Sequence, residues 1–142
     1  MSIATTRKRK RVKPALSDRS PRDIIRQLHA GLPVRWIDDL ADDLAVSGDD
    51  VAALARISSR TLARRRVDGR FNLDESERMY RLVSVFDRAI ELFDGDRAAA
   101  CRWLKTPRPV FGGKTALEFS DTEVGAREVQ DLIGRIEHGV VS

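Results

Sequence analysis

The sixteen residues Val51-Ala-Ala-Leu-Ala-Arg-Ile-Ser-Ser-Arg-Thr-Leu-Ala-Arg-Arg-Arg66 carry the side chains best suited to chemistry in this chain, and that chemistry is the binding of phosphates and base edges. Arg56, Arg60 and Arg64 recur every four residues, the spacing of one helix face. Arg65 and Arg66 flank them, and no acid interrupts Arg56 to Arg66. A guanidinium fork neutralises phosphate oxygens, and it also matches guanine O6 and N7 with two hydrogen bonds.

Other reactive residue types lead to weaker expectations. His29 and His138 lie far apart, and neither is accompanied by the cysteines or acids of a zinc site or a hydrolytic triad. Glu137-His138 reads as a surface pair at a helix end, where the helix dipole favours an imidazolium. Asp38, Asp39, Asp42 and Asp43 crowd four carboxylates together. A hard-cation site also needs converging loop carbonyls, so a solvated acidic face is expected. Gly112-Gly-Lys-Thr115 resembles the tail of a phosphate loop, but the motif's earlier glycine falls at Arg108 and no strand precedes it. With no nucleophile–base set and no metal cluster, the chain is expected not to be an enzyme and to carry no cofactor.

The elements that must position the arginines read as a helix-turn-helix. Val51, Ala52, Leu54 and Ala55 form a short apolar stripe, Ile57 is the buried turn residue, and Ser58 caps a second helix that Thr61 and Leu62 continue. In that layout the second helix enters the major groove by its N-terminal side chains, here Ser59, Arg60 and Arg64. The candidate DNA-binding set is therefore Ser58, Ser59, Arg60, Thr61, Arg64, Arg65 and Arg66. Arg56 occupies a turn position where glycine commonly supplies a left-handed backbone.

The surrounding pattern is helical throughout. Ser20, Pro21 and Asp23 open a helix near 21–30 that Gly31 and Pro33 close, and Val34, Ile37, Leu40, Ala41 and Leu44 give a second near 34–46. Asp74 with Glu77 suggests the start of the longest helix, whose stripe is Met79, Leu82, Val83, Phe86, Ala89, Ile90 and Phe93. Asp96 caps a helix carrying Ala99, Ala100, Trp103 and Leu104, which Pro107 and Pro109 end. Phe111 to Thr115 reads as a loop. Ser120-Asp-Thr-Glu123 reads as a capping box for a last helix with Val124, Val129, Leu132, Ile133 and Ile136. No segment alternates apolar and polar residues over a useful length, so the fold class is all-α.

Charge is unevenly spread. Residues 1–22 hold eight bases and one acid, residues 23–70 eight of each, and residues 71–142 ten bases and thirteen acids. The arm Arg7-Lys-Arg-Lys-Arg-Val-Lys13 is too charged to pack; it would follow DNA or serve as a solubilising tail. This gives three segments: a basic arm over 1–20, expected to be disordered, a helix-turn-helix domain over 21–72 and a small helical domain over 73–142. Cys101 is the single cysteine, so no intrachain disulfide forms and a reducing cytoplasm fits best. No apolar run approaches the roughly 18 residues of a membrane span, and no signal core follows the basic N-terminus, so no membrane partner is expected.

From about Phe86 onward, Ala-Ile-Glu-Leu-Phe-Asp-Gly-Asp-Arg-Ala-Ala-Ala-Cys-Arg-Trp-Leu-Lys-Thr-Pro, then Phe-Gly-Gly-Lys-Thr-Ala-Leu-Glu-Phe, then Arg-Ile-Glu-His-Gly, resembles the C-terminal domain of Xre/MbcA/ParS antitoxins. With an Xre-type helix-turn-helix ahead of it, the resemblance covers roughly residues 22–142. It implies a bacterial antitoxin of a type II toxin–antitoxin system, itself no enzyme. The implied partner is a RES-domain toxin that consumes NAD or transfers from it, whose cleft the C-terminal domain covers. The helix-turn-helix half would repress the operon by binding its operator DNA, with a homodimer expected.

Carried over by motif, Trp103, Leu104 and Pro107 would shape the toxin-binding domain, and Arg135, Glu137, His138, Gly139, Val140, Val141 and Ser142 would approach the cleft. A short terminal segment with a free carboxylate and two valines suits an NAD cleft, although a frayed terminus has the same composition. Phe111 and Phe119 depart from the family's usual smaller or aliphatic residues. The alternative is a stand-alone helix-turn-helix regulator whose C-terminal half serves dimerisation.

Overall fold

The computed structural model describes residues 19–139. The expectation for the basic arm falls outside them save for Arg19 and Ser20, as do Val140, Val141 and Ser142. Eight α-helices are found among the described residues: α1 (Pro21–Ala30), α2 (Arg35–Leu44), α3 (Gly48–Leu54), α4 (Ser59–Asp68), α5 (Leu73–Leu92), α6 (Arg97–Leu104), α7 (Ala116–Phe119) and α8 (Glu123–Glu137). A 3-10 turn, Pro109–Phe111, lies between α6 and α7. The only pairing of extended backbone among them is an isolated bridge between Pro33 and Arg70. None of these helices is long and apolar enough to cross a membrane.

Local chemistry sets most of the boundaries. Ser20, Ser47, Ser58, Asn72, Asp96, Thr115 and Thr122 each accept a hydrogen bond from the backbone N–H three residues on, satisfying a donor that the helix itself leaves open. Two starts differ from the sequence expectation. Helix α5 is capped by Asn72 with Glu75 rather than by Asp74 with Glu77. Helix α8 is capped by Thr122, because the Ser120 hydroxyl is buried and donates to the Ala116 carbonyl at 2.7 Å. Part of the expected 111–115 loop is likewise structured: Phe111 ends the 3-10 turn, and Thr115 and Glu118 form the capping box of α7.

Helix α5 is the axis. Twenty residues at 1.5 Å each make it about 30 Å long, and it packs on α1, α2, α6 and α8. Met79, Leu82, Val83, Val85, Phe86 and Ala89 are all essentially inaccessible and belong to a core that also holds Ile37, Leu40, Leu44 and Val51 from the first half and Leu104, Val129 and Ile133 from the second. The seam between the halves is closed by α6 on the carboxyl end of α2. The Cys101 thiol donates to the Asp43 carbonyl (3.0 Å), the Lys105 ammonium to the Leu44 carbonyl (2.8 Å), and Arg97 pairs with the Asp43 carboxylate (3.0 Å). Carbonyls that α2 cannot satisfy internally thus receive donors from another helix, with cations where the dipole favours them.

The acidic face of α2 is accordingly less solvated than its sequence suggests. Asp43 is paired with Arg97, and Asp38 takes a two-point contact from Arg66.

Candidate functional site

The turn between α3 and α4 has the predicted construction. Arg56 adopts a left-handed backbone (φ 57°), Ile57 is 4% exposed, and its N–H donates to the Ala52 carbonyl at 2.8 Å. A non-glycine residue there is strained, and α5 holds it: Arg78 Nε donates to the Ala55 carbonyl at 2.7 Å, while Arg78 also pairs with Asp74. Because Arg56 precedes the Ser58 cap, it is not on the face of α4, which corrects the three-arginine spacing to two.

The seven candidate residues separate by environment. Ser58 Oγ accepts the Thr61 N–H and donates to Thr61 Oγ1 at 3.0 Å, so both side chains build the cap. Arg65 directs Nε to Glu75 Oε1 (2.7 Å), Nη2 to Glu75 Oε2 (3.2 Å) and Nη1 to Asp68 (3.1 Å). Arg66 contacts both oxygens of Asp38, at 2.9 and 3.0 Å. Both arginines therefore anchor α4, Arg65 from a half-buried position and Arg66 from an exposed one.

Ser59, Arg60 and Arg64 remain exposed, and neither arginine has an ion-pair partner among the described residues. Val67, 87% exposed, continues their face one turn on. Sequence reasoning missed Asp38 and Glu75 as the groups that fix this helix and Arg78 as the one that holds the turn before it, since each lies in a different element from the group it fixes.

Electrostatics support the division. Hydrogen bonding to Glu75, then to Asp68, raises the Arg65 pKa above its ordinary value. Burial pushes Glu75 upward, but hydrogen bonds from Arg65 and the Asn72 backbone, with the Arg65 and Arg78 charges, outweigh it and leave this carboxyl below its ordinary value. Both groups stay ionised, and the contact is a full ion pair.

The second candidate surface is the helical cap on the far end of α5. Trp103 meets Phe111 edge-on (6.5 Å, 89°), Phe111 stacks on Phe119 (5.0 Å, 28°), and the Arg108 guanidinium lies 4.9 Å from the Trp103 ring centroid. The two phenylalanines singled out in the sequence are thus partners. Leu104 is fully buried and Trp103 is 9% exposed, so both lie in the domain's interior. Pro107, Arg135, His138 and Gly139 are exposed. Glu137 is tied to Arg88 of α5 through both oxygens, at 2.9 and 3.0 Å, which holds its carboxyl below the ordinary range. His138 Nδ1 lies 2.7 Å from the Gly134 carbonyl.

Comparison with known proteins matches both halves of the chain. Residues 23–84 match the Antitoxin Xre-like helix-turn-helix domain, and residues 88–139 match the Antitoxin Xre/MbcA/ParS C-terminal toxin-binding domain; the two matches flank residues 85–87 of α5. Antitoxin Xre of Photorhabdus laumondii is 42% identical over 81% of this chain and 78% of its own length. Antitoxin Xre of Yersinia enterocolitica is 41% identical over 84% and 81%, and Antitoxin Xre of Pseudomonas putida 27% identical over 77% and 67%. With both domains matched in order and relatives this similar along most of their length, the chain belongs to the Xre antitoxin family, a non-enzymatic family that joins a helix-turn-helix domain to a C-terminal toxin-binding domain.

Proposed function

We propose that this protein neutralises a RES-domain toxin by covering the toxin's NAD-binding cleft, and that it represses its own operon by binding operator DNA as a homodimer in the bacterial cytoplasm. The observation that carries the DNA half is the contrast within α4. Arg65 and Arg66 are paired with acids of α5 and α2, whereas Arg60 and Arg64 are exposed and have no ion-pair partner among the described residues, on a helix thereby fixed in place. Ser59, Arg60 and Arg64 read the groove, and Ser58, Thr61, Arg65 and Arg66 hold the reader. The toxin half rests on the matched C-terminal domain and on the end of α8, where Arg135, His138 and Gly139 are exposed beside the Arg88–Glu137 contact. The segment from Arg135 to Ser142 is the part assigned to the cleft.

The test is co-expression with the neighbouring gene, purification through a tag on this chain, and an assay of NAD loss before and after the partners are separated. An NAD-consuming partner silent in the complex supports the proposal. A partner without effect on NAD or growth overturns the toxin half and leaves a DNA-binding regulator.

A further inference from the structure

Beyond α4, the loop entering α2 and the loop leaving α4 enclose a hollow of about 390 Å³ whose lining includes Arg19, Arg26, Arg35 and Arg70, with Leu32 and Trp36, and no carboxylate. We propose that this hollow is a seat for a backbone phosphate of the DNA that α4 engages, so that Arg35 and Arg70 extend the interface past the major groove. The proposal rests on the DNA-binding reading of α4.

The walls are built firmly. Phe71 N–H donates to the Leu32 carbonyl (3.0 Å), Val34 N–H to the Gly69 carbonyl (3.1 Å) and Leu32 N–H to Ser76 Oγ (2.9 Å). Gly31 lets the two loops approach: its φ is +92°, and a Cβ there would sit 2.4 Å from the Phe71 carbonyl oxygen. Arg70 is oriented by donating Nη1 to the Gly31 carbonyl at 2.7 Å, and the Arg19 guanidinium lies 5.9 Å from the Trp36 ring centroid. Arg26 is partly balanced by Asp23 at 3.0 Å, whereas Arg35 is exposed and has no ion-pair partner among the described residues. Like charges gathered in a concave site favour an anion, and guanidinium forks suit the oxygens of a phosphate.

Position selects DNA as the source. A smaller adjoining hollow shares Pro33 and Arg35 with the first and is also lined by Gly69, Arg66 and the Asp38 carboxylate that Arg66 engages, which leads from the seat to the carboxyl end of α4. Ten residues make α4 about 15 Å long. The major groove is about 12 Å wide, so a helix entering by its N-terminal turn carries its other end to the groove's lip, where backbone phosphates run.

The experiment uses the full chain and Arg35→Gln, with a duplex of the gene's own upstream region and a scrambled duplex of equal length. Thermal melting checks that the variant is folded. We expect R35Q to weaken both duplexes by about tenfold at low salt. It should lower the slope of log K against log salt by about 0.9 and leave the ratio between the two duplexes unchanged. If the full chain binds DNA and R35Q keeps its affinity and slope, the seat is overturned while the reading of α4 stands. If the full chain binds neither duplex, that reading fails and the seat with it. Titration of the DNA-free chain with inorganic phosphate separates the sources: saturation abolished by R35Q, together with an unchanged DNA slope, assigns the hollow to a small anion and overturns the DNA seat.

Discussion

Arg65 of α4 and Glu75 of α5 meet through two parallel hydrogen bonds, 2.7 and 3.2 Å long, with side chains 18% and 8% exposed. Glu75 Oε1 also accepts the Asn72 N–H at 3.0 Å, so one carboxylate closes the cap of α5 and fixes the orientation of α4. The helix that carries Arg60 and Arg64 is therefore set by the helix that spans the molecule.

This contact and its counterpart at Arg88–Glu137 predict the response to acid. Both carboxyls lie below their ordinary pKa in the folded chain, so their stabilisation is complete above the ordinary glutamate value of about 4.3 and is lost as pH falls through the lower folded values. Melting temperatures measured from neutral pH down to about pH 3 should fall below about pH 4.3. Glu75→Gln should melt lower at neutral pH and show a shallower acid slope. An unchanged acid slope in E75Q would remove the pair from the stability of the fold.

Replacing Arg60 and Arg64 together by alanine should weaken operator binding by roughly 2–5 kcal/mol, through lost base and phosphate contacts. Toxin neutralisation should persist, since neither side chain contacts the C-terminal half. Arg66→Ala should act differently: it frees Asp38 and loosens α4, so its effect should appear in thermal melting as well as in DNA affinity. Equal DNA affinity of the double variant and the native chain would refute the assignment of α4.

Gly125 lies in the first turn of α8 under the end of α7, and a Cβ there would come within 1.8 Å of the Phe119 carbonyl oxygen. The clash is with backbone, which cannot rotate aside. Gly125→Ala should destabilise the chain by roughly 2–4 kcal/mol, read as a lower urea midpoint. A midpoint equal to the native one would mean that α7 and α8 separate freely.

Cys101 should report the seam between the halves. Burial, then the nearby Asp43 charge, raises its pKa, and its thiol is engaged by the Asp43 carbonyl. Reaction with a thiol reagent near neutral pH should be on the order of 100-fold slower in the native chain than in urea. A native rate close to the denatured one would show that α6 leaves α2 readily.

The sequence revealed what short-range chemistry decides. Ser58 three residues before the Thr61 N–H, Ile57 beside it and the stripe from Met79 to Ala89 need no knowledge of distant residues. The two misplaced caps show the limit. Asn72 with Glu75 and Asp74 with Glu77 have the same spacing, and what selects the first is burial of Glu75 against Arg65. Ser120 has a proper capping type but lies at the end of α7, a helix of four residues too short to show periodicity. The arginine run was legible as charge, not as roles, because Glu75 lies ten residues from Arg65 and Asp38 twenty-eight from Arg66. A still longer separation hid the pairing of Arg88 with Glu137, forty-nine residues apart.

That last pairing allows the end of the chain to be dissected. Removing Glu137 to Ser142 deletes both the Arg88 contact that fixes the end of α8 and the terminal residues assigned to the cleft, and it should impair neutralisation while sparing DNA binding. Removing only Val140 to Ser142 keeps Glu137 and its two bonds to Arg88. If the terminal residues fill the cleft, this shorter deletion should impair rescue of growth nearly as much as the longer one, with an unaltered melting temperature. Full rescue by the shorter deletion and failure of the longer one would instead place the blocking contact on α8 itself, around Arg135 and Glu137. Full rescue by both would count against any role for this end of the molecule in covering the toxin.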